Sequence, residues 1–308
     1  MSYRVGIDIG GTKVLIGIVD ENAKILASVK IPATTETQPE AIIANICEHL
    51  KKLLSENGIS LSEISFFGAG VPGTARLSDG HIVYCPNINL VDVPAGTLFR
   101  KYLGKDVRIS QDCRLAAWGE HLFGSGQGIR DLACITIGTG IGCGIVLDGK
   151  ILHGALNTAG EIGHTCVEPN GRLCPCGNRG CLERYSSGTG ILISAREQMP
   201  DRIGENSRTE DVFDLAYAGN QTARAIIQDG VEKLVTCIVN MMVLLSLERV
   251  IISGGMCVHD ELIIQPLIAG VQERGYRTWL RDGRFSMVKA SLGEFAPMIG
   301  AAFLDRAL

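Results

Sequence analysis

Val5-Gly-Ile-Asp-Ile-Gly-Gly-Thr-Lys-Val-Leu-Ile-Gly-Ile-Val-Asp20 is the stretch from which the architecture follows. Val5, Ile7 and Ile9 alternate with small or polar residues, Gly10-Gly11 makes a turn, and Val14 to Val19 returns as a second strand. Asp20-Glu21-Asn22 turns again and Lys24 to Ile31 supplies a third strand. The same text recurs from Ala133 to His153: strand, Gly138-Thr139-Gly140 turn, strand, Asp148-Gly149 turn, strand. Its ends match in detail. Gly17-Ile18-Val19-Asp20 with Lys24-Ile25-Leu26 corresponds to Gly144-Ile145-Val146-Leu147-Asp148 with Lys150-Ile151-Leu152. Glycine hairpins can look alike by chance, but a shared order of three strands and two turns argues for a duplicated α/β domain.

Between the repeats, Ala41 to Leu54 carries apolar residues at helical spacing, and Ile64 to Gly68 and Val107 to Ile109 read as strands. Arg114 to Phe123 reads as a helix after Asp112. Beyond the second repeat, Thr222 to Leu247 is expected to be a long buried helix, Val250 to Ser253 a strand and Glu261 to Arg274 a helix. A last helix, Ala296 to Leu308, is expected to pack back on the first domain. The expected division is therefore 1–115 plus 296–308, and 116–295.

Hydrophobic residues make up 46% of the 308, aromatic residues only 5%, and there are 38 glycines, a balance that suits an α/β enzyme with many glycine turns. A net charge of −4 argues against a nucleic-acid-binding surface. The most apolar run, Val235 to Leu247, is interrupted by Thr236, Asn240 and Ser246, so no membrane span is expected.

Glu161-Ile-Gly-His164 followed by Cys174-Pro-Cys-Gly-Asn-Arg-Gly-Cys-Leu-Glu183 offers one imidazole and three thiols to a metal. His164, Cys174, Cys176 and Cys181 suit a closed tetrahedral zinc site, which is structural because four protein ligands leave no open position. Pro175, Gly177 and Gly180 supply the tight turns a chelating loop needs. The other eight cysteines (47, 85, 113, 134, 143, 166, 237 and 257) stand singly and read as buried small hydrophobes. With no charged-then-apolar leader after Met1, a cytoplasmic location is expected, where clustered thiols bind metals more often than they form disulfides.

Three glycine turns follow strands. Asp8-Ile-Gly10-Gly11-Thr12-Lys13 places a carboxylate beside backbone N–H groups that can approach phosphate oxygens closely, and it returns as a strand, unlike a Walker A loop. Gly138-Thr139-Gly140 holds the same place in the second repeat, and Ser253-Gly254-Gly255 is suited to a nucleotide's base and ribose. Each alone reads as a hairpin turn; in duplicated domains they favour a nucleotide held between them. Gly68-Ala-Gly70-Val-Pro-Gly73 imitates a dinucleotide fingerprint, yet no helix follows it, and it is expected to be a loop. Asp112, between a strand end and a helix, is placed either for chemistry or as a helix N-cap.

Together these motifs resemble the ROK family of sugar kinases and sugar-responsive repressors, within the actin-like ATPase superfamily, over essentially the whole chain. The resemblance implies two duplicated actin-like (ribonuclease H-like) α/β domains around a cleft, with a structural zinc loop, usually in a homodimer. It implies that Asp112 is the general base for phosphorylation of a sugar C6 hydroxyl, and that Gly70, Asn87, Gln111, Glu161, His164 and Glu183 contact the sugar, His164 through the ring nitrogen not on zinc. Asp8, Gly10, Gly11, Thr12, Lys13, Gly138, Thr139, Gly140, Gly254 and Gly255 would bind ATP with Mg²⁺. Family members that phosphorylate glucose typically carry Asn-Asp-Ala-Asn where this chain has Gln111-Asp112-Cys113-Arg114, and Gly293-Glu-Phe-Ala-Pro-Met-Ile-Gly300 replaces an acidic-Ala-Gly stretch. A glucokinase is therefore expected, with kinases of N-acetylmannosamine, N-acetylglucosamine, mannose, fructose or allose as alternatives. A sugar-responsive regulator without its DNA-binding domain is the rival of a different class. The first phosphate-loop strand starting at Val5 leaves that rival no winged helix, and the retained Asp8, Thr12 and Asp112 oppose an inactive sugar binder.

Overall fold

The computed structural model describes residues 2–33, 38–85 and 88–307. Strands β1 (Tyr3–Ile9), β2 (Lys13–Val19) and β3 (Ile25–Pro32) are followed by helix α1 (Pro39–Glu56) and strand β4 (Ile64–Val71). Short strands β5 (Thr74–Ala75), β6 (Ile82–Cys85) and β7 (Leu90–Val93) precede α2 (Ala95–Leu103), β8 (Arg108–Gln111) and α3 (Asp112–Phe123). The second repeat comprises β9 (Leu132–Ile137), β10 (Ile141–Leu147) and β11 (Lys150–Ile151). Helices α4 (Glu183–Ser186), α5 (Gly188–Gln198), α6 (Thr209–Tyr217) and α7 (Gln221–Leu245) come next, then β12 (Arg249–Ser253). The chain continues through α8 (Gln265–Arg274), α9 (Arg277–Asp282), β13 (Ser286–Lys289) and α10 (Ala296–Ala302).

The duplication read from the two meanders is present in the sheets. One runs β3-β2-β1-β4-β8 and the other β11-β10-β9-β12-β13, so each places a meander beside two added strands. Those added strands pair in parallel: β4 with β1, β8 with β4, β12 with β9 and β13 with β12. Strands β1 and β2 are buried almost throughout, whereas the edge strand β3 alternates between half-buried and exposed positions, as expected for central and outer strands. By internal contacts the chain divides into two compact units. One comprises Met1–Arg130, Gly144–Ala159 and Ala290–Leu308, and the other Asp131–Cys143 and Gly160–Lys289.

In the first unit, Ile42, Ile43, Ile46, Cys47, Leu50, Leu53 and Leu54 of α1 join the core of β1, β2 and β4. Helix α10 packs against the same sheet without intervening side chains. A Cβ on Gly6 would lie 1.9 Å from the Met298 carbonyl oxygen, and one on Gly68 would lie 1.9 Å from that of Ala301. Helix α3 is joined to the same chain end by Trp118, whose Nε1 donates to Phe303 O at 2.9 Å. Glu120, fully buried on α3, accepts from the amides of Ser125 and Leu292, both at 2.8 Å, and from Ser291. Its carboxylate is thus satisfied by backbone donors from two segments.

Several features differ from the sequence expectations. The three-stranded sheet β5-β6-β7, helices α2, α4–α6 and α9, and strand β13 were not among the elements expected. Gly68 to Val71 belong to β4 rather than to a loop. The helix expected from Glu261 begins as a π-helical turn, Asp260–Ile264, before α8. The last helix ends at Ala302 and is followed by a 3₁₀ turn, Leu304–Ala307.

A methyl group at Gly68 would have to displace the Ala301 carbonyl, with Phe66 Cε1 3.2 Å away as well. Gly68→Ala is therefore expected to cost about 2–3 kcal/mol by urea denaturation, and an unchanged midpoint would show that α10 can move away freely.

Candidate functional site

Parallel pairing in the first unit gathers its candidate residues at the carboxyl ends of the strands. Asp8 of β1 lies beside Gly70 of β4, and Gly70 and Val71 lie beside Ser110 and Gln111 of β8. Asp112 follows at once as the first residue of α3, so helix, strand end and carboxylate meet where open α/β sheets bind ligands. Gly70 permits a close approach, since a Cβ there would lie 3.4 Å from Asp112 Cα. The N-cap alternative for Asp112 is not what forms: Gln111 occupies that position, and Asp112 Oδ1 accepts instead from the next amide, Cys113 N–H, at 2.7 Å. Asn87 lies outside the described residues.

The first glycine turn is closed by Gly10 N donating to Lys13 O at 2.9 Å, leaving Gly11 and Thr12 exposed. Lys13 directs its ammonium to Glu294 Oε2 at 2.7 Å, and Lys30 takes Glu294 Oε1 at 2.6 Å. The two ammonium groups hold the Glu294 carboxyl down at about 2. Asp8 moves the other way. Burial and the neighbouring Asp112 push its carboxyl up to about 7, against the pull of Lys13.

In the second unit the Gly138–Gly140 turn closes through Gly138 N donating to Gly140 O at 3.0 Å, and the start of α5 docks on it through Gly188 N to Gly138 O at 2.8 Å. Glu183, the first residue of α4, accepts from Ile141 N–H at 2.9 Å. Gly140 makes room for it, because a Cβ there would lie 2.4 Å from Glu183 Oε2. The carbonyl of the same Ile141 packs on Gly163, where a Cβ would lie 2.4 Å from that oxygen. The 3₁₀ turn Ile162–His164 after Glu161 therefore sits on β10 through its only side-chain-free residue. At the third turn, Gly254 adopts φ +97°, and a Cβ would meet Ile137 O at 2.3 Å.

The four metal-ligating candidates converge. One ligand atom each from His164, Cys174, Cys176 and Cys181 lies within 4.8 Å of every other. Cys174 Sγ is 3.6 Å from His164 Nδ1, and Cys176 Sγ is 3.6 Å from Cys181 Sγ. These separations approach the ~3.8 Å edge of a tetrahedron with Zn–S bonds of ~2.3 Å, and are far longer than a disulfide. The loop closes through Gly177 N to Cys174 O at 2.9 Å and Cys174 N to Asn178 O at 2.8 Å. Burial beside the other two thiols pushes the Cys181 thiol up to about 12, a crowding that a dication would relieve. The donor set fits Zn²⁺, with Nδ1 of His164 as the ligand atom. Of the eight cysteines expected to be buried, Cys166 is exposed and Cys113 and Cys257 are half-buried.

Two residues beside the site were missed from sequence. Glu294 lay in a stretch marked only as unusual, and Asn157, which holds Arg114, carried no signal because its partner is distant in the chain.

A family model described as ROK family matches residues 4–307. The chain is 31% identical to a glucokinase of Streptomyces coelicolor over 324 residues, covering 99% of this chain and 98% of the relative. It is 29% identical over 264 residues to an N-acetylmannosamine kinase of Citrobacter koseri, covering 85% of this chain and 86% of the relative. A solved ROK glucokinase from Streptomyces griseus, in complex with glucose and AMPPNP, superposes with a TM-score of 0.79 at 29% identity over 98% of this chain and 99% of that one.

Elemental analysis of protein purified without chelators should find about one zinc per chain, and Cys176→Ser should lower both that content and the melting temperature; full metal content in the variant would remove Cys176 from the ligand set. A second expectation concerns Asp8. Its folded pKa of about 7 lies above the ordinary 3.8, so the folded state holds the proton more tightly and loses stability as pH rises through that interval. Asp8→Asn should therefore stabilise the ligand-free protein by ~1–3 kcal/mol at pH 8 and scarcely at pH 4. Equal gains at both pH values would contradict the shift.

Proposed function

This chain belongs to the ROK family and is an ATP-dependent sugar kinase of that family, and from that premise we propose that it phosphorylates a hexose at C6, glucose first. The observation that carries the reading is Asp112 at the carboxyl ends of β4 and β8, one strand away from Asp8 at the first glycine turn. Asp112 takes the proton from the C6 hydroxyl as that oxygen bonds to the γ-phosphorus. The bond from the γ-phosphorus to the β–γ bridging oxygen breaks, and ADP leaves with the electron pair.

Glu161, His164 and Glu183 bind the sugar, with Gly70, Asn87 and Gln111 assisting. Sugar hydroxyls both donate and accept, and this set offers carboxylate acceptors beside an imidazole N–H. Since Nδ1 of His164 faces the thiols, Nε2 is the nitrogen assigned to the sugar. Zinc would hold the loop that carries these groups and take no part in the transfer. The exposed turn at Gly10, Gly11 and Thr12, with Lys13, and the Gly138-Thr139-Gly140 turn are assigned to the phosphates, and Gly254-Gly255 to the nucleoside. Asp8, whose burial beside Asp112 resists ionisation, fits a Mg²⁺ that neutralises phosphate charge.

N-acetylmannosamine is the second sugar, supported by the 29% identity to a kinase of that substrate. The thiolate ligands fit the reducing cytoplasm, and a homodimer remains part of the proposal.

A coupled assay of ATP consumption across hexoses and N-acetylhexosamines tests the reading. Glucose is expected to give the highest kcat/KM, and turnover of none of these sugars would overturn it. Asp112→Asn is expected to lower kcat by at least ~10³-fold with sugar affinity still measurable; near-normal turnover would show that another group accepts the proton.

A further inference from the structure

The geometry points to Arg114 as a positioning residue that sets sugar affinity through the segment leading into Glu161, an inference that rests on the sugar-kinase reading above. Arg114 lies two residues beyond Asp112 in the first turn of α3 and is 1% exposed. Three hydrogen bonds tie its guanidinium to one short stretch of chain. Nη2 donates to Asn157 O at 2.8 Å, Nε to Ala159 O at 3.2 Å and Nη1 to Asn157 Oδ1 at 3.3 Å. A rigid planar fork matches three such acceptors in a way that a single ammonium does not.

Asn157 passes this restraint on. Its Nδ2 donates to Ala75 O at the end of β5, and its Oδ1 also meets His153 Nδ1 at 3.1 Å. The residue adopts φ +56°, a conformation that asparagine tolerates better than most residues and that side-chain bonding helps to hold. The turn is completed by Ala159 N donating to His153 O at 3.1 Å. Strand β10 presses on the same helical turn, since a Cβ on Gly144 would lie 2.4 Å from Cys113 O and 2.7 Å from Arg114 Cα.

Along the chain, then, Arg114 sits two residues from the proposed base, and the carbonyl it holds at Ala159 is two residues from Glu161. Buried at 1% exposure and bonded to residues 157 and 159, this side chain is assigned its influence on the sugar through the 153–159 segment, as a positioning residue and not a catalytic one.

Two measurements on Arg114→Lys and Arg114→Met test this in the zinc-loaded full chain. Hydrogen exchange of the 153–161 backbone should speed at least ~10-fold in both variants while the β1–β3 amides keep their protection. The dissociation constant for the sugar that the wild type turns over best should rise at least ~10-fold, more for Met than for Lys, with KM for ATP within about twofold. A purely structural role would instead lower the melting temperature and the yield and leave the sugar constant of the folded fraction unchanged, and that result overturns the proposal. Unchanged exchange overturns it as well. A wild type that binds none of the sugars overturns both the functional reading and the sugar coupling, and exchange then decides alone whether Arg114 holds the segment.

Discussion

The peptide groups of Ile141 are the mooring on which the second unit's site depends. Its N–H fixes the Glu183 carboxylate, and its C=O lies against Gly163 in the turn between Glu161 and His164. Two motifs separated by nearly twenty residues thereby share one anchor at the edge of the second glycine turn. The His164–Cys174–Cys176–Cys181 cluster then closes the intervening loop from its other end. With zinc bound, strand backbone and metal would divide the work: one sets where the carboxylate and imidazole begin, the other would keep the loop between them from drifting. Neither alone constrains both ends.

The first unit solves a similar problem with charge. Asp8 is held beside Asp112 where burial resists its ionisation, so the ligand-free protein carries a strained carboxyl at its first glycine turn. Stability is given up at this position, a compromise that suits the cation site proposed for it. Lys13 and Lys30 share Glu294 nearby, which keeps two cations ordered on the surface but also engages them. Such exposed pairs are worth little individually, so a polyanion can displace Glu294 at small cost.

How much of this was legible in advance depends on the range of the signal. The two meanders were readable because turn residues and alternation are local, and the four metal ligands because chelating spacing is local too. The carboxyl-end position of Asp112 followed from the strand–helix junction, where β8 runs directly into α3. What escaped was set by partners far apart in sequence. Arg114 stood out only as a replacement for an asparagine until Asn157 and Ala159 appeared as its acceptors. The β5-β6-β7 sheet has strands too short to show a period. Cys166 was misjudged with the other single cysteines, although it stands between Thr165 and Val167 beside the metal loop and is exposed.

The contact of α10 with Gly6 and Gly68 has a consequence for synthesis. At Gly6 and Gly68 the first sheet offers that helix bare backbone, and the apolar side chains beside them are covered by the helix itself. The segment that covers it, residues 290–308, is translated only after the whole of 160–289 has left the ribosome. During that interval the nascent first unit exposes an unfinished hydrophobic face, including Leu15 and Val19, whose final neighbours are Met298, Ile299 and Phe303. Until that segment is made, part of the first unit's core lacks its partners, and a chain in that state is exposed to aggregation or to capture by chaperones.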